Sequence, residues 1–222
     1  MTTGSQSRAP RLNTPQRRHA RSNRVRLLAA ARIELSRDPD VSLDEIARAA
    51  GLVRRTLYGH FPNREALIDA LATEAKESLE EAFTAARRPD ADPPTALAGL
   101  ILAAWGVGDH YRMLISLARR RLGEDRLRAI LAPARAEAVA ILDRGQRDGS
   151  FSTHLPAAVL ALATESVVLA ILESQASAAE AVPPAPWSDP YGEAAATAVL
   201  ITAGVEPAAA RRYVQAALRP DR

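Results

Sequence analysis

An all-α chain in two parts is the fold class this sequence predicts, and three observations predict it. Alanine, the strongest helix former, is abundant, while glycine is modest and aromatic residues are few. No stretch alternates apolar and polar residues with period two, and no Asn-Gly or Asp-Gly pair joins two such stretches into a hairpin. The charge is split along the chain. Twelve arginines face five carboxylates up to Pro62, whereas seventeen cations face twenty-one carboxylates from Asn63 onward. A basic N-terminal part on an acidic remainder is the footprint of a nucleic-acid module joined to something else.

Residues 1–22 are rich in Ser, Thr, Gln, Pro and Arg and contain no acid, which predicts a disordered basic tail. Such an arm can lie along phosphates or a minor groove; a solubilising extension or an unprocessed leader fits the composition equally. The first helix is expected from about Asn23 to Ser36, with Leu28, Ala31 and Leu35 facing inward and Asp38-Pro39-Asp40 ending it. The second starts at Ser42. Ser42 and Glu45 have capping-box spacing, Val41 and Ile46 have hydrophobic-staple spacing, and Gly51 stands where a left-handed residue closes a helix.

The third helix follows after a turn at Gly51-Leu52. At 100° per residue, Val53, Leu57 and Phe61 share one inward sector. Arg55 and Gly59 then point outward, Thr56 and Tyr58 lie on the shoulders, and Arg54 and His60 border the buried edge. A guanidinium beside a residue with no side chain suits a helix pressed into a major groove, where Arg pairs with guanine O6 and N7. Arg55 is therefore assigned to base readout. Thr56, Tyr58, His60 and Arg64 are assigned to phosphates, Arg54 to the same surface, and Gly59 to close approach of the backbone. The alternative, a solvated helix hairpin, leaves unexplained a glycine in a short helix and an arginine in the first turn of the next one.

The fourth helix is expected from the N-cap Asn63 to about Arg87, long enough to pass into a second domain. Further helices are expected near Pro94–Trp105, Asp109–Leu122, Glu124–Arg147, Pro156–Ala179, Tyr191–Ala203 and Glu206–Leu218. Gly106/Gly108, Gly123, Gly149 and Gly204 punctuate them, and the prolines at 183, 184, 186 and 190 predict a loop. The domain limits expected are 1–22 for the tail, 23–66 for a three-helix DNA-binding domain of helix-turn-helix type, and 67–222 for a helical ligand-binding and dimerisation domain.

Residues 24–71 resemble the DNA-binding domain of TetR-family transcriptional regulators. The resemblance rests on Ile46-Ala47, Ala50-Gly51, Thr56-Leu57-Tyr58, His60-Phe61 and Arg64-Glu65-Ala66-Leu67. Two positions depart from the family pattern. Val53 replaces a small polar residue and Arg55 a small one, so Arg55 implies an operator sequence of this chain's own. The resemblance implies a cytoplasmic homodimeric repressor that binds a palindromic double-stranded DNA operator and is released by a small-molecule effector. An activator or a ligand-independent DNA-binding protein is the alternative.

Other chemistry is poorly supported. The chain lacks cysteine, its four histidines share no metal-ligand spacing, and neither a metal site nor a cofactor is expected. Gly106-Val-Gly108 lacks the third glycine and the preceding strand of a dinucleotide fingerprint. The long apolar stretch 156–172 has Thr164-Glu165-Ser166 at its centre, which marks a buried helix and not a membrane span. Glu165 has no visible catalytic partner, so no enzyme is expected. In the second domain Trp105, His110, Tyr111, Met113 and Glu165 are the candidate anchors of an apolar effector pocket, since such sites combine hydrophobic walls with a few polar groups. Core packing is the competing role for the aromatics. The 156–179 helix is apolar nearly all round. Its stripe Ala163-Val167-Ala170 and a second stripe, Ala195-Ala196-Val199, are expected to face a partner subunit, as two late helices do in the resembled family.

Overall fold

A computed structural model describes residues 14–88, 90–111, 124–178 and 190–219. Nine α-helices and no strand occur among the described residues: α1 (Thr14–Arg37), α2 (Leu43–Ala49), α3 (Arg54–His60), α4 (Arg64–Ala86), α5 (Pro93–His110), α6 (Glu124–Asp148), α7 (Ala157–Ala178), α8 (Pro190–Thr202) and α9 (Pro207–Leu218). The chain divides into two compact units, with the boundary between Ile68 and Asp69 inside α4.

In the first unit α1, α2 and α3 pack against one another around Leu27, Ala31, Leu35, Ile46, Leu57, Phe61 and Leu67. The short helices need local fastening, because a single nucleated turn is unfavourable by itself. For α2 the capping box supplies it. Glu45 N–H donates to Ser42 Oγ at 3.2 Å, and Ser42 N–H donates to Glu45 Oε2 at 3.0 Å. Gly51 ends the element at φ +65°, a conformation that any other L-residue adopts only with strain. Arg26 then donates to the last carbonyl of the turn, Ala50 O, at 2.7 Å, while the Arg24 guanidinium lies 4.8 Å from the Phe61 ring centre.

Two sequence expectations fail here. Helix α1 begins at Thr14, so residues 14–22 continue a helix instead of a disordered tail. Once the packed segment 24–37 has provided the nucleus, each added residue contributes a hydrogen bond, and Gln, Arg and Ala are good helix formers. Residues 1–13 lie outside the described set. Val53, placed on the buried sector by the wheel, is 69% exposed. It is the extended N-cap of α3 (φ −80°, ψ 149°), so helical angular spacing does not apply to it.

In the second unit α5 packs against all four later helices, over a core that includes Leu97, Trp105, Leu142, Phe151, Leu160 and Leu200. Its start is set by Asp92, whose side chain accepts from Thr95 N–H at 2.9 Å, followed by Pro93 in the first turn. Gly106 and Gly108 do not interrupt it. A Cβ at Gly108 would come within 2.9 Å of Leu172 Cδ1, so that glycine lets α5 and α7 approach closely, and tertiary packing overrides propensity. The expected helix 109–122 and the loop with its prolines lie largely outside the described residues.

Helix α7 is long and apolar enough to cross a membrane by length and composition alone. It packs instead on α6 and α8, with Leu160, Ala161, Thr164, Val168, Leu169 and Leu172 buried. Its opposite face is open: Val159 and Leu162 are 46% and 48% exposed. The expected partner-facing stripe of α8 is corrected, because Ala195, Ala196 and Val199 are sealed in the unit's own core. The open side of α8 carries Tyr191, Ala194 and Ile201. Val167 is half-buried on the flank of the α7 face.

Three capping carboxylates make the fold pH-dependent. Side-chain and backbone hydrogen bonds from Ser42 hold Glu45 below the ordinary glutamate range. Ser150 does the same for Asp148, and the backbone N–H groups of Ala208 and Ala209 do so for Glu206. The unfolded chain therefore binds more protons at low pH than the folded one. The stabilisation from these caps is complete above about pH 4–5 and is lost as pH falls through their lowered values. Acid unfolding followed by circular dichroism is expected to show the gap between the native chain and Glu45→Gln narrowing below that range.

Candidate nucleic-acid interface and effector cavity

Helix α3 is held from below by Leu57 and by Phe61, which follows its last turn; both are buried. This leaves Arg55 and Gly59 fully on the outside, and a Cβ added at Gly59 would meet nothing within 4 Å. Tyr58 is 38% exposed beside them, and Thr56 and His60 are half-buried on the flanks. Arg54 is also exposed but already engaged. Its Nη1 donates to Asp44 Oδ2 at 2.7 Å, and its guanidinium lies 5.1 Å from the Tyr58 ring centre. That pair ties α2 to the start of α3 and leaves Arg55 with no ion pair among the described residues. An exposed pair of this kind contributes little stability, so its value is in positioning.

Arg64 behaves differently from expectation. Its guanidinium turns back onto the chain and donates to the carbonyls of Pro39 and Val41, in the connection between α1 and α2. It braces that loop, which otherwise would carry unpaired carbonyls. The side chain of Asn63 caps α4 next to it by accepting from Ala66 N–H at 2.8 Å. Of the seven positions selected from the sequence, Arg55, Tyr58 and Gly59 therefore form one outward patch, with Thr56 and Arg54 at its edge.

The second unit contains a cavity of about 90 Å³ between α4, α5, α6 and α7. Leu79, Val107, Leu131 and Leu169 are among its hydrocarbon walls; its polar lining residues among those described are Tyr111, Arg135, Thr164 and Glu165. Arg135 and Glu165 form a two-pronged pair, Nε to Oε2 at 2.9 Å and Nη2 to Oε1 at 2.8 Å. The hydrogen bond to Glu165 holds the Arg135 pKa above its ordinary value, so the guanidinium stays charged throughout. The Thr164 hydroxyl donates to Ala161 O at 2.9 Å, and the Tyr111 hydroxyl lies 3.4 Å from Ser78 Oγ.

Tyr111 and Glu165 thus reach the cavity. Trp105 does not: it is buried in the core, where Gly192 makes room for its indole. His110 is exposed and stands edge-on to Tyr111, with ring centres 5.2 Å apart. Met113 lies outside the described residues. Arg135 was missed by sequence reasoning, although a signal existed: it falls on the apolar stripe Leu127-Leu131-Ala134-Ala138, where a cation needs a partner. No group of three His, Cys, Asp or Glu side chains suited to a metal ion occurs among the described residues.

Comparison with known proteins shows what this geometry resembles. Residues 27–71 match the sequence profile of bacterial regulatory proteins of the tetR family. The HTH-type transcriptional regulator EthR of Mycolicibacterium smegmatis is 34% identical over 103 residues, which span 44% of this chain and 46% of EthR, less than half of that protein's length. Solved structures extend the likeness beyond the N-terminal unit. RolR in complex with resorcinol is 25% identical, covering 92% of this chain and 97% of RolR with a TM-score of 0.57. LfrR from Mycobacterium smegmatis, in complex with proflavine, shares the fold at 22% identity, covering 86% of this chain and 98% of LfrR with a TM-score of 0.63. The N-terminal unit thus matches the tetR-family profile, and the all-helical fold of the chain is the one these regulators share.

Proposed function

We propose that the protein is a homodimeric repressor that reads a palindromic DNA operator through α3 and is released when a small molecule enters the cavity of the second unit. In this reading residues 23–66 bind DNA, and residues 67–222 bind the effector and dimerise. The observation that carries it is the outward patch on α3: an exposed guanidinium at Arg55 beside the open backbone of Gly59, on a unit whose sequence is strongly basic. Arg55 reads a base, Gly59 lets the helix approach, and Thr56, Tyr58 and His60 contact phosphates. Arg54 adds positive charge at the edge of the patch. Arg64 supports the patch by holding the loop before α2 and is not itself a phosphate contact. Acting on chromosomal DNA, the protein works in the cytoplasm.

The effector half of the proposal draws support from the cavity and from the two ligand-bound relatives, which hold resorcinol and proflavine. Ala75 and Leu79 of α4 line the cavity, and the same helix begins at Arg64. A ligand that shifts this wall displaces the element that braces the α1–α2 loop. By linkage, a ligand that lowers operator affinity binds the DNA-bound protein more weakly by the same factor, typically about 5–150-fold.

Selecting bound sequences from a random DNA pool tests the proposal and supplies the operator. A palindromic consensus is the expected result; salt-dependent binding without sequence preference would overturn it. With that operator, Arg55→Ala is expected to lose about 1–3 kcal/mol and to relax preference at one position per half-site. Tyr58→Phe and Thr56→Ala are expected to weaken all sequences alike. Competition binding of the variants against operator and random duplex separates the two behaviours.

A further inference from the structure

The charge state of the effector follows from how the cavity's ions are used, an inference that rests on the cavity being the effector site. Among its described lining residues the only charged groups are Arg135 and Glu165. Their two bonds, 2.8 and 2.9 Å long, spend the facing edge of the guanidinium on both carboxylate oxygens. Both side chains are about four-fifths buried, so little water screens them. The rest of the described wall is hydrocarbon apart from Tyr111 and Thr164, and the Thr164 hydroxyl is already donated to Ala161 O.

An ionised ligand entering this space leaves its hydration shell and finds no net counter-charge on the described wall. A carboxylate could recruit Arg135 only by stripping Glu165 of its partner. An ammonium ion could recruit Glu165 only by stripping Arg135. Either exchange leaves one uncompensated ion in an apolar wall, the situation that makes breaking such pairs more damaging than replacing them. A neutral ligand meets no such penalty. Arg135 has N–H groups beyond the two that hold Glu165, and these can donate to an uncharged oxygen without opening the pair.

We propose that the Arg135–Glu165 pair is a charge filter, and that the cavity takes an uncharged, mainly hydrocarbon ligand bearing at most an alcohol, carbonyl or ester oxygen. The filter has a specific property: removing one member converts it into a receptor for the opposite charge. Glu165→Gln leaves an unpaired guanidinium and admits carboxylates; Arg135→Gln leaves an unpaired carboxylate and admits ammonium ions.

Two skeletons test this, a benzyl group and an eight-carbon chain, each supplied as the alcohol, the carboxylate and the ammonium ion. Calorimetric titration into the full-length protein is expected to show at least one alcohol binding about tenfold or more tighter than both of its ions, a gap readily resolved. Glu165→Gln is expected to raise carboxylate affinity and Arg135→Gln ammonium affinity by about the same factor, each relative to the alcohol in the same variant. An ion that matches its alcohol in the native protein would overturn the proposal without any variant. So would the absence of binding by either alcohol, or unchanged charge preference in variants that melt like the native chain. Measuring operator affinity with the bound alcohol separates the two ideas: binding with no loss of operator affinity removes the release mechanism and leaves the filter standing, whereas tight binding of an ion that does release DNA removes the filter and leaves the release mechanism.

Discussion

Placing aspartate at both Leu162 and Ile201 is expected to turn the proposed dimer into monomers and to lower operator affinity by about 10²–10⁴-fold, because two linked recognition helices bind with an effective concentration that two separate ones lack. The positions are chosen from the open sides of two adjacent helices. On α7, Val159, Leu162, Ala163, Ser166 and Ala170 share one face, with Leu162 48% exposed; on α8, Tyr191, Ala194 and Ile201 share another, with Ile201 42% exposed. Helices α7 and α8 pack together, so the two faces can form one surface from which small residues do not hold a partner away. In the monomer both side chains already meet water, and aspartate there leaves the fold intact. Across a dimer interface the same carboxylates would be buried without partners. Sedimentation velocity reads the oligomeric state and fluorescence anisotropy the affinity. A double variant that remains dimeric moves the interface elsewhere.

The opposite outcome is expected two residues away, on the other side of α8. Val199→Asp is expected to destabilise the second unit instead of dissociating the proposed dimer, with a loss of about 3–5 kcal/mol, the range for leaving a buried charge uncompensated. Val199 is 0% exposed, and Ala195, Ala196 and Leu200 around it are equally closed. Set against a total stability of about 5–15 kcal/mol, that loss is a large share and lowers the melting temperature by about 6–20 °C. Thermal unfolding by circular dichroism is the measurement. A variant that melts like the native chain yet sediments as a monomer would return Val199 to a subunit interface.

These two neighbouring residues show where sequence reasoning reaches and where it stops. The Ser42–Glu45 box, the left-handed Gly51 and the Asn63 cap were legible because their hydrogen bonds close within three or four residues of the chain. The outward direction of Arg55 and Gly59 was legible too, since Leu57 and Phe61 fix the inner face of a seven-residue helix. Val53 was not, because whether a residue caps a helix or belongs to it changes its backbone and so its direction. On α8, apolar side chains occur on more than one side. Periodicity cannot distinguish the face that meets α5 and α7 from the face left open, and the sealed Ala195-Ala196-Val199 stripe was mistaken for the open one.

The polar groups divide in the same way. Arg135 and Glu165 are thirty residues apart, and Arg64 lies more than twenty residues from the carbonyls it holds. Composition placed positive charge in the first unit and apolar helices in the second. Which cation is aimed outward, which is spent on a carbonyl and which neutralises a carboxylate in the cavity was decided only when packing brought distant segments together. Local bonds are set by chain neighbours, whereas a buried charge takes whatever partner the tertiary fold puts within reach.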